Sequence, residues 1–130
     1  MNLRESKVKL NLEVCTINGE ATVVYCRGRV AYGKEAAALS RSVAELLPQT
    51  RHLLLELSGV EMIDSAGLGE LVGILRWARV CGCAVKLVAP RRQVRQLLEL
   101  TNLASVFEIH SSLEEAAPGL DGKLVPSAVP

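Results

Sequence analysis

The stretch Met62-Ile63-Asp64-Ser65-Ala66-Gly67-Leu68-Gly69 sets one hydroxyl between an acid and a run of small residues. Such a serine could attack a substrate, bind a phosphate, accept a phosphoryl group or cap a helix. As a nucleophile it lacks its setting. A hydrolase elbow reads G-x-S-x-G, whereas Ile63 stands two before Ser65, and neither histidine, His52 or His110, is placed by the sequence as an orienting base. Gly67, Gly69 and Gly73 spell G-x-G-x-x-x-G, superficially a dinucleotide fingerprint. The next strand, however, ends Leu87-Val88-Ala89-Pro90 with no acid for a ribose hydroxyl, and the chain has no G-x-x-x-x-G-K-[ST] for a triphosphate. Gly69 and Gly73, one helical turn apart, more simply let a helix lie close to a neighbouring backbone. Capping by Asp64 or Ser65 is expected, because the first-turn N–H groups need acceptors. Capping does not require small neighbours, so Ala66, Gly67 and Gly69 are read as leaving the hydroxyl open to a second macromolecule.

The elements that must position this segment follow from hydrophobic period and turn residues. Lys9 to Ile17 and Ala21 to Cys26, joined at Asn18-Gly19, read as an antiparallel hairpin. Gly33 to Leu47 repeats apolar residues at helical spacing and stops before Pro48. His52 to Leu57 is a nearly continuous apolar run, the pattern of a strand covered on both faces. After Ser65, the residues Leu68, Leu71, Val72 and Leu75 define the inward face of a helix ending near Cys81, which puts Trp77 on the outer side with Glu70 and Ile74. Ala84 to Ala89 is a strand, and Pro90 to Leu100 a helix with Val94, Leu97 and Leu98 inward. Val106 to Ile109 is a short strand, and Ser111 to Ala117 a helix capped by Ser111 or Ser112. The order β-β-α-β-α-β-α-β-α predicts an α/β domain, a mixed sheet with a parallel centre covered by about four helices. Residues 1–9 are a lead-in, 10–117 the domain, and 118–130, rich in Pro and Gly, an expected disordered tail.

Composition narrows the function classes. The 130 residues suit one domain, 49% hydrophobic and only 3% aromatic, and a net charge of +1 provides no global field for nucleic acid or anionic lipid. No apolar run is long enough to span a membrane and no signal-peptide core is present, so a cytoplasmic protein is expected. Cys15, Cys26, Cys81 and Cys83 match neither a redox pair nor a zinc knuckle and read as small apolar residues. No cofactor or metal set is evident. Arg91, Arg92 and Arg95 read as a solvated face and Glu56 as structural, while Trp77, expected to be at least partly exposed, is an incidental surface aromatic, a contact for the C-terminal tail or a partner anchor.

The segment SGVEMIDSAGLGELVGIL, the strand LLLELSGV before it, AVKLVAPRRQVRQLLELTNLASVFEIHSSLEEA after it and the N-terminal hairpin together resemble a STAS domain of the anti-sigma factor antagonist type. The resemblance implies a regulator rather than an enzyme. It implies that the chain binds an anti-sigma factor serine kinase when unphosphorylated and releases it when Ser65 is phosphorylated, with a serine phosphatase as a further partner. On this reading Asp64, Ser65, Ala66, Gly67, Leu68, Gly69 and Trp77 meet the partner. The chain departs from the family where Gly28-Arg29-Val30-Ala31 replaces a frequent Gly-x-Leu-Asp, and where Ala66 replaces a second hydroxyl. That departure favours the alternative of an unphosphorylated STAS scaffold or accessory subunit of a transporter or signalling complex.

Overall fold

The structure, a computed structural model, describes residues 10–17, 21–117 and 124–126. Alternating residues build β1 (Asn11–Ile17), which pairs antiparallel with β2 (Ala21–Val30). The chain continues through α1 (Lys34–Leu46), a 3-10 turn at Leu47–Gln49, β3 (His52–Ile63), α2 (Ser65–Cys81), β4 (Ala84–Val88), α3 (Arg92–Leu100), β5 (Glu108–His110), α4 (Leu113–Ala116) and β6 (Leu124–Pro126). The sheet order is β5-β4-β3-β2-β1-β6, with β2 to β5 mutually parallel. The expected mixed α/β sheet with four helices is therefore present. The lead-in 1–9 and the hairpin tip 18–20 lie outside the described residues.

Of the segment expected to be a disordered tail, Leu124–Pro126 instead form β6, antiparallel to Cys15–Ile17. The outer edge of β1 offers backbone groups there that need partners, and an apolar Leu-Val pair followed by proline is compatible with an edge position. The rest of 118–130 lies outside the described residues.

Strand β3 is twice as long as its apolar run suggests. Its pairing with β2 shifts register between Tyr25 and Arg27 and again between Gly28 and Arg29. Gly28, with φ of 106°, supplies a conformation that L side chains rarely adopt at such an irregularity. These shifts break the two-residue alternation, so the apolar run alone ends at Leu57, short of Ile63. A central strand thereby carries the chain directly to Asp64.

One face of the sheet is covered by α1, α2 and α3, whose Leu39, Val43, Leu71, Ile74 and Leu98 join Val24, Leu53, Leu55 and Leu87 in the main core. The other face carries a smaller cluster of Ala21, Val23, Leu54, Val88 and the α4 residue Ala116. The inward face of α2 differs from the expected stripe, because Ile74 and Ala78 are buried whereas Val72 is only half-buried. Helix α2 faces α1 as well as the sheet, and that second neighbour takes up Ile74. No helix of the described residues is long and apolar enough to cross a membrane.

Candidate functional site

The site lies where β3 gives way to α2. Asp64 is extended (φ −113°, ψ −173°) and caps the helix, its Oδ1 accepting the Gly67 N–H at 2.9 Å. Its Oδ2 accepts the Tyr32 N–H, also at 2.9 Å, from the turn between β2 and α1. One carboxylate thus ties the start of α2 to a neighbouring loop. The Tyr32 amide, followed by that of Gly67, holds the Asp64 carboxyl below its ordinary value, since hydrogen bonds to the ionised form favour it. Ser65 and Ala66 follow, both exposed, on the first turn of the helix.

Gly67 and Leu68 do not face outward with them. A Cβ on Gly67 would lie 2.1 Å from the Val30 carbonyl oxygen and 2.7 Å from Ile63 Cγ1, so its missing side chain seats the helix on the end of β2. Leu68 is buried in the main core. The close approach expected of Gly67 is therefore to the protein's own backbone, and neither residue is displayed to a partner. The reverse holds for Gly69 and Gly73: nothing lies within 4 Å of a Cβ at either, so the helix contact expected of them is absent. The exposed members of the expected set are Ser65, Ala66, Gly69 and Trp77, with Asp64 half-buried.

Trp77 is 55% exposed, as its helical angle required. It borders a shallow apolar groove with Ser40, Val43, Ala44, Leu47 and Ile74, and a hydrogen bond from Ser40 Oγ to Glu70 ties the two helices beside it. Twelve residues of α-helix place Trp77 roughly 18 Å along the axis from Ser65, so the two occupy opposite ends of one helix. The histidines take no part. His52 starts β3 at the far end of the sheet, and His110 on β5 is held by Glu108 and Glu115.

The sequence reading missed Tyr32, which is 62% exposed with a left-handed φ of 58°. The Arg29 guanidinium lies 4.9 Å from its ring centroid and pairs with Glu35 Oε2 at 3.1 Å. Ala31, where the resemblance led an acid to be expected, is fully buried. Glu56 is structural, accepting from the amide and hydroxyl of Ser58. Arg91 donates to the Ser58 carbonyl oxygen, Arg95 pairs with Glu99, and Arg92 is exposed. Among the described residues no cluster of three or more His, Cys, Asp or Glu could hold a metal. Of the cysteines, Cys26 and Cys83 are buried as small apolar residues, but Cys81 is exposed.

A family model described as the STAS domain matches residues 13–116. A Thermotoga neapolitana homolog of TM1081, named as a candidate anti-sigma factor antagonist, is 38% identical over 71 residues, 55% of this chain and 63% of that protein. The chain thus spans about three fifths of the length of the curated relatives it matches. An anti-sigma factor antagonist from Mycobacterium paratuberculosis superposes with a TM-score of 0.74 at 23% identity, covering 88% of this chain and 96% of that one. The antagonist SpoIIAA superposes in its unphosphorylated form with a TM-score of 0.69 at 16% identity, covering 82% and 92%. In its phosphorylated form, from Bacillus, the values are 0.64 and 15%, covering 82% and 96%. These likenesses below 25% identity establish the fold.

Proposed function

The chain belongs to the STAS domain family, and from that premise we propose that it is an anti-sigma factor antagonist, binding an anti-sigma factor serine kinase while Ser65 is unmodified and losing it when Ser65 carries a phosphate. It acts as a binding module in the cytoplasm rather than as an enzyme. The carrying observation is an exposed serine on the first turn of a long helix, immediately after an aspartate whose two oxygens are already engaged. A phosphate adds about −1.5 to −2 charges, and the amide-rich start of a helix favours such charge by roughly 0.3–1 kcal/mol at an exposed position. The fold therefore tolerates the modification. A partner packed over a neutral hydroxyl, Ala66 and Gly69 would instead meet a dianion beside the Asp64 carboxylate, and each 1.4 kcal/mol so lost weakens binding about tenfold. Trp77 extends the contact along the outer face of α2.

The test is a phosphotransfer assay with the anti-sigma factor kinase of the same genome. One phosphate is expected on the wild type and none on Ser65→Ala, while Ser65→Asp fails to bind. The buried Ala31 is the one observation favouring an unphosphorylated scaffold or transporter subunit, because no acid there can help to orient the serine. A chain that neither binds this kinase nor takes phosphate from it, and that pulls down a transport ATPase from the native cell, would support that second reading.

A further inference from the structure

We infer that Tyr32 is an aromatic anchor through which the partner grips the face beside Ser65, and that this partner is a protein carrying an apolar pocket that takes the ring. The inference rests on the proposed function for the existence of that partner and adds a residue outside the set expected from the sequence. A left-handed φ is uncommon for an aromatic residue and costs free energy unless the surroundings fix it. Here they do, for the Tyr32 amide donates to Asp64 Oδ2 at 2.9 Å, on the residue next to Ser65. The effect of this conformation is to hold the ring outward, 62% exposed.

What lies beneath the ring supports the same reading. The Arg29 guanidinium is 4.9 Å from the ring centroid, a cation–π distance, and its charge is matched by Glu35 at 3.1 Å. Arg29 Nε and Glu35 Oε1 are buried without a hydrogen-bond partner, so the pair sits in place despite an incomplete polar shell. The pedestal is electrically compensated, and what it presents is the ring. Met62, opposite Arg29 in the β2–β3 register and 38% exposed, adds apolar surface on the adjoining strand. The cation directly under the ring, Arg29, is compensated by Glu35, and an aromatic over a compensated pair suits an apolar protein pocket better than a nucleic acid, which calls for uncompensated Lys or Arg at the contact. Exposed tyrosines of this kind are enriched among interface hot spots.

Tyr32→Gly isolates the ring, because glycine adopts the same backbone without strain and keeps the amide on Asp64. Titrated calorimetrically with the purified anti-sigma factor kinase, this variant is expected to bind at least about tenfold more weakly than wild type, with an undiminished melting temperature. Tyr32→Phe should stay within a few-fold. If Tyr32→Gly binds like wild type while Ser65→Asp loses the kinase, the anchor is refuted and the switch stands. If Tyr32→Gly loses the kinase while Ser65→Asp binds normally, the anchor stands and the phosphorylation switch falls. A single-stranded oligonucleotide bound through Tyr32 would overturn the choice of a protein pocket.

Discussion

Three glycines within seven residues of one helix have opposite assignments, and substitution separates them. Gly67→Ala should destabilise by at least about 2 kcal/mol, since its Cβ would strike the Val30 carbonyl and one of the two backbones must move. Gly69→Ala and Gly73→Ala should each leave stability unchanged or raise it by about 0.5–1 kcal/mol, as alanine is the better helix residue where nothing is crowded. Urea unfolding of the three variants checks the order; a destabilised Gly69→Ala would contradict it. Asp64 yields a pH signature of definite sign. Its unfolded carboxyl titrates near 3.8 and the folded one lower, so its contribution is complete above about pH 5 and disappears as pH falls through the folded value. Asn at this position offers one acceptor instead of two, and cannot serve both Gly67 and Tyr32. The stability gap between wild type and Asp64→Asn should therefore close between pH 5 and pH 2, in about those limits; a constant gap would show that the charged form is not what the two amides hold. That a small residue and a cap belong at this helix start is visible in the sequence. Which glycine touches backbone is not, because it depends on how the helix is turned against β2.

Helix α2 is the element that joins the two ends of the proposed surface, with Ser65 on its first turn and Trp77 on its outer side near the other end. Trp77 is the only tryptophan in the chain, so its fluorescence reports on this groove alone. Binding of the kinase should shift the emission to shorter wavelength, and Trp77→Ala should weaken binding at least about tenfold while leaving the melting temperature nearly unchanged. Unshifted emission together with unchanged affinity would remove Trp77 from the interface. The exposure of Trp77 was legible from 100° steps along the helix, whereas the burial of Ile74 was not, since it requires knowing that α1 lies alongside. The first half of β3 was likewise readable as HLLLEL. Its continuation to Ile63 could not be read from the apolar run, because register shifts spoil the alternation there, and these arise only when β2 and β3 pair. Tyr32 escaped notice for a related reason: its backbone conformation is fixed by Asp64, thirty-two residues away.

The whole domain is an aliphatic core around a sheet, with thiols used as packing groups, and this leaves a mark at alkaline pH. Burial, the larger cause, pushes the Cys26 thiol from 9.0 up to about 12, with the Glu56 charge adding in the same direction. Unfolding would release that proton above pH 9, so the contribution is fully present below 9 and is lost as pH rises through about 12. Wild type should lose urea resistance faster than Cys26→Ala over that range, and parallel profiles would contradict the burial assignment. Cys15, Tyr25 and Cys83 shift in the same direction and steepen the background common to both proteins. The architecture itself was legible from spacing and turn residues. The β6 pairing was not, because three residues of Leu-Val-Pro carry no period and take their strand conformation from the edge of β1.

The central claim is that one phosphate on Ser65 controls association without unfolding the site. Its most direct test is calorimetric titration of the anti-sigma factor kinase with the unmodified chain and with the chain stoichiometrically phosphorylated on Ser65. The account predicts at least about a hundredfold weaker binding for the phosphorylated form, equivalent to about 2.8 kcal/mol, with closely similar circular dichroism for the two. Equal affinity of the two forms would contradict it.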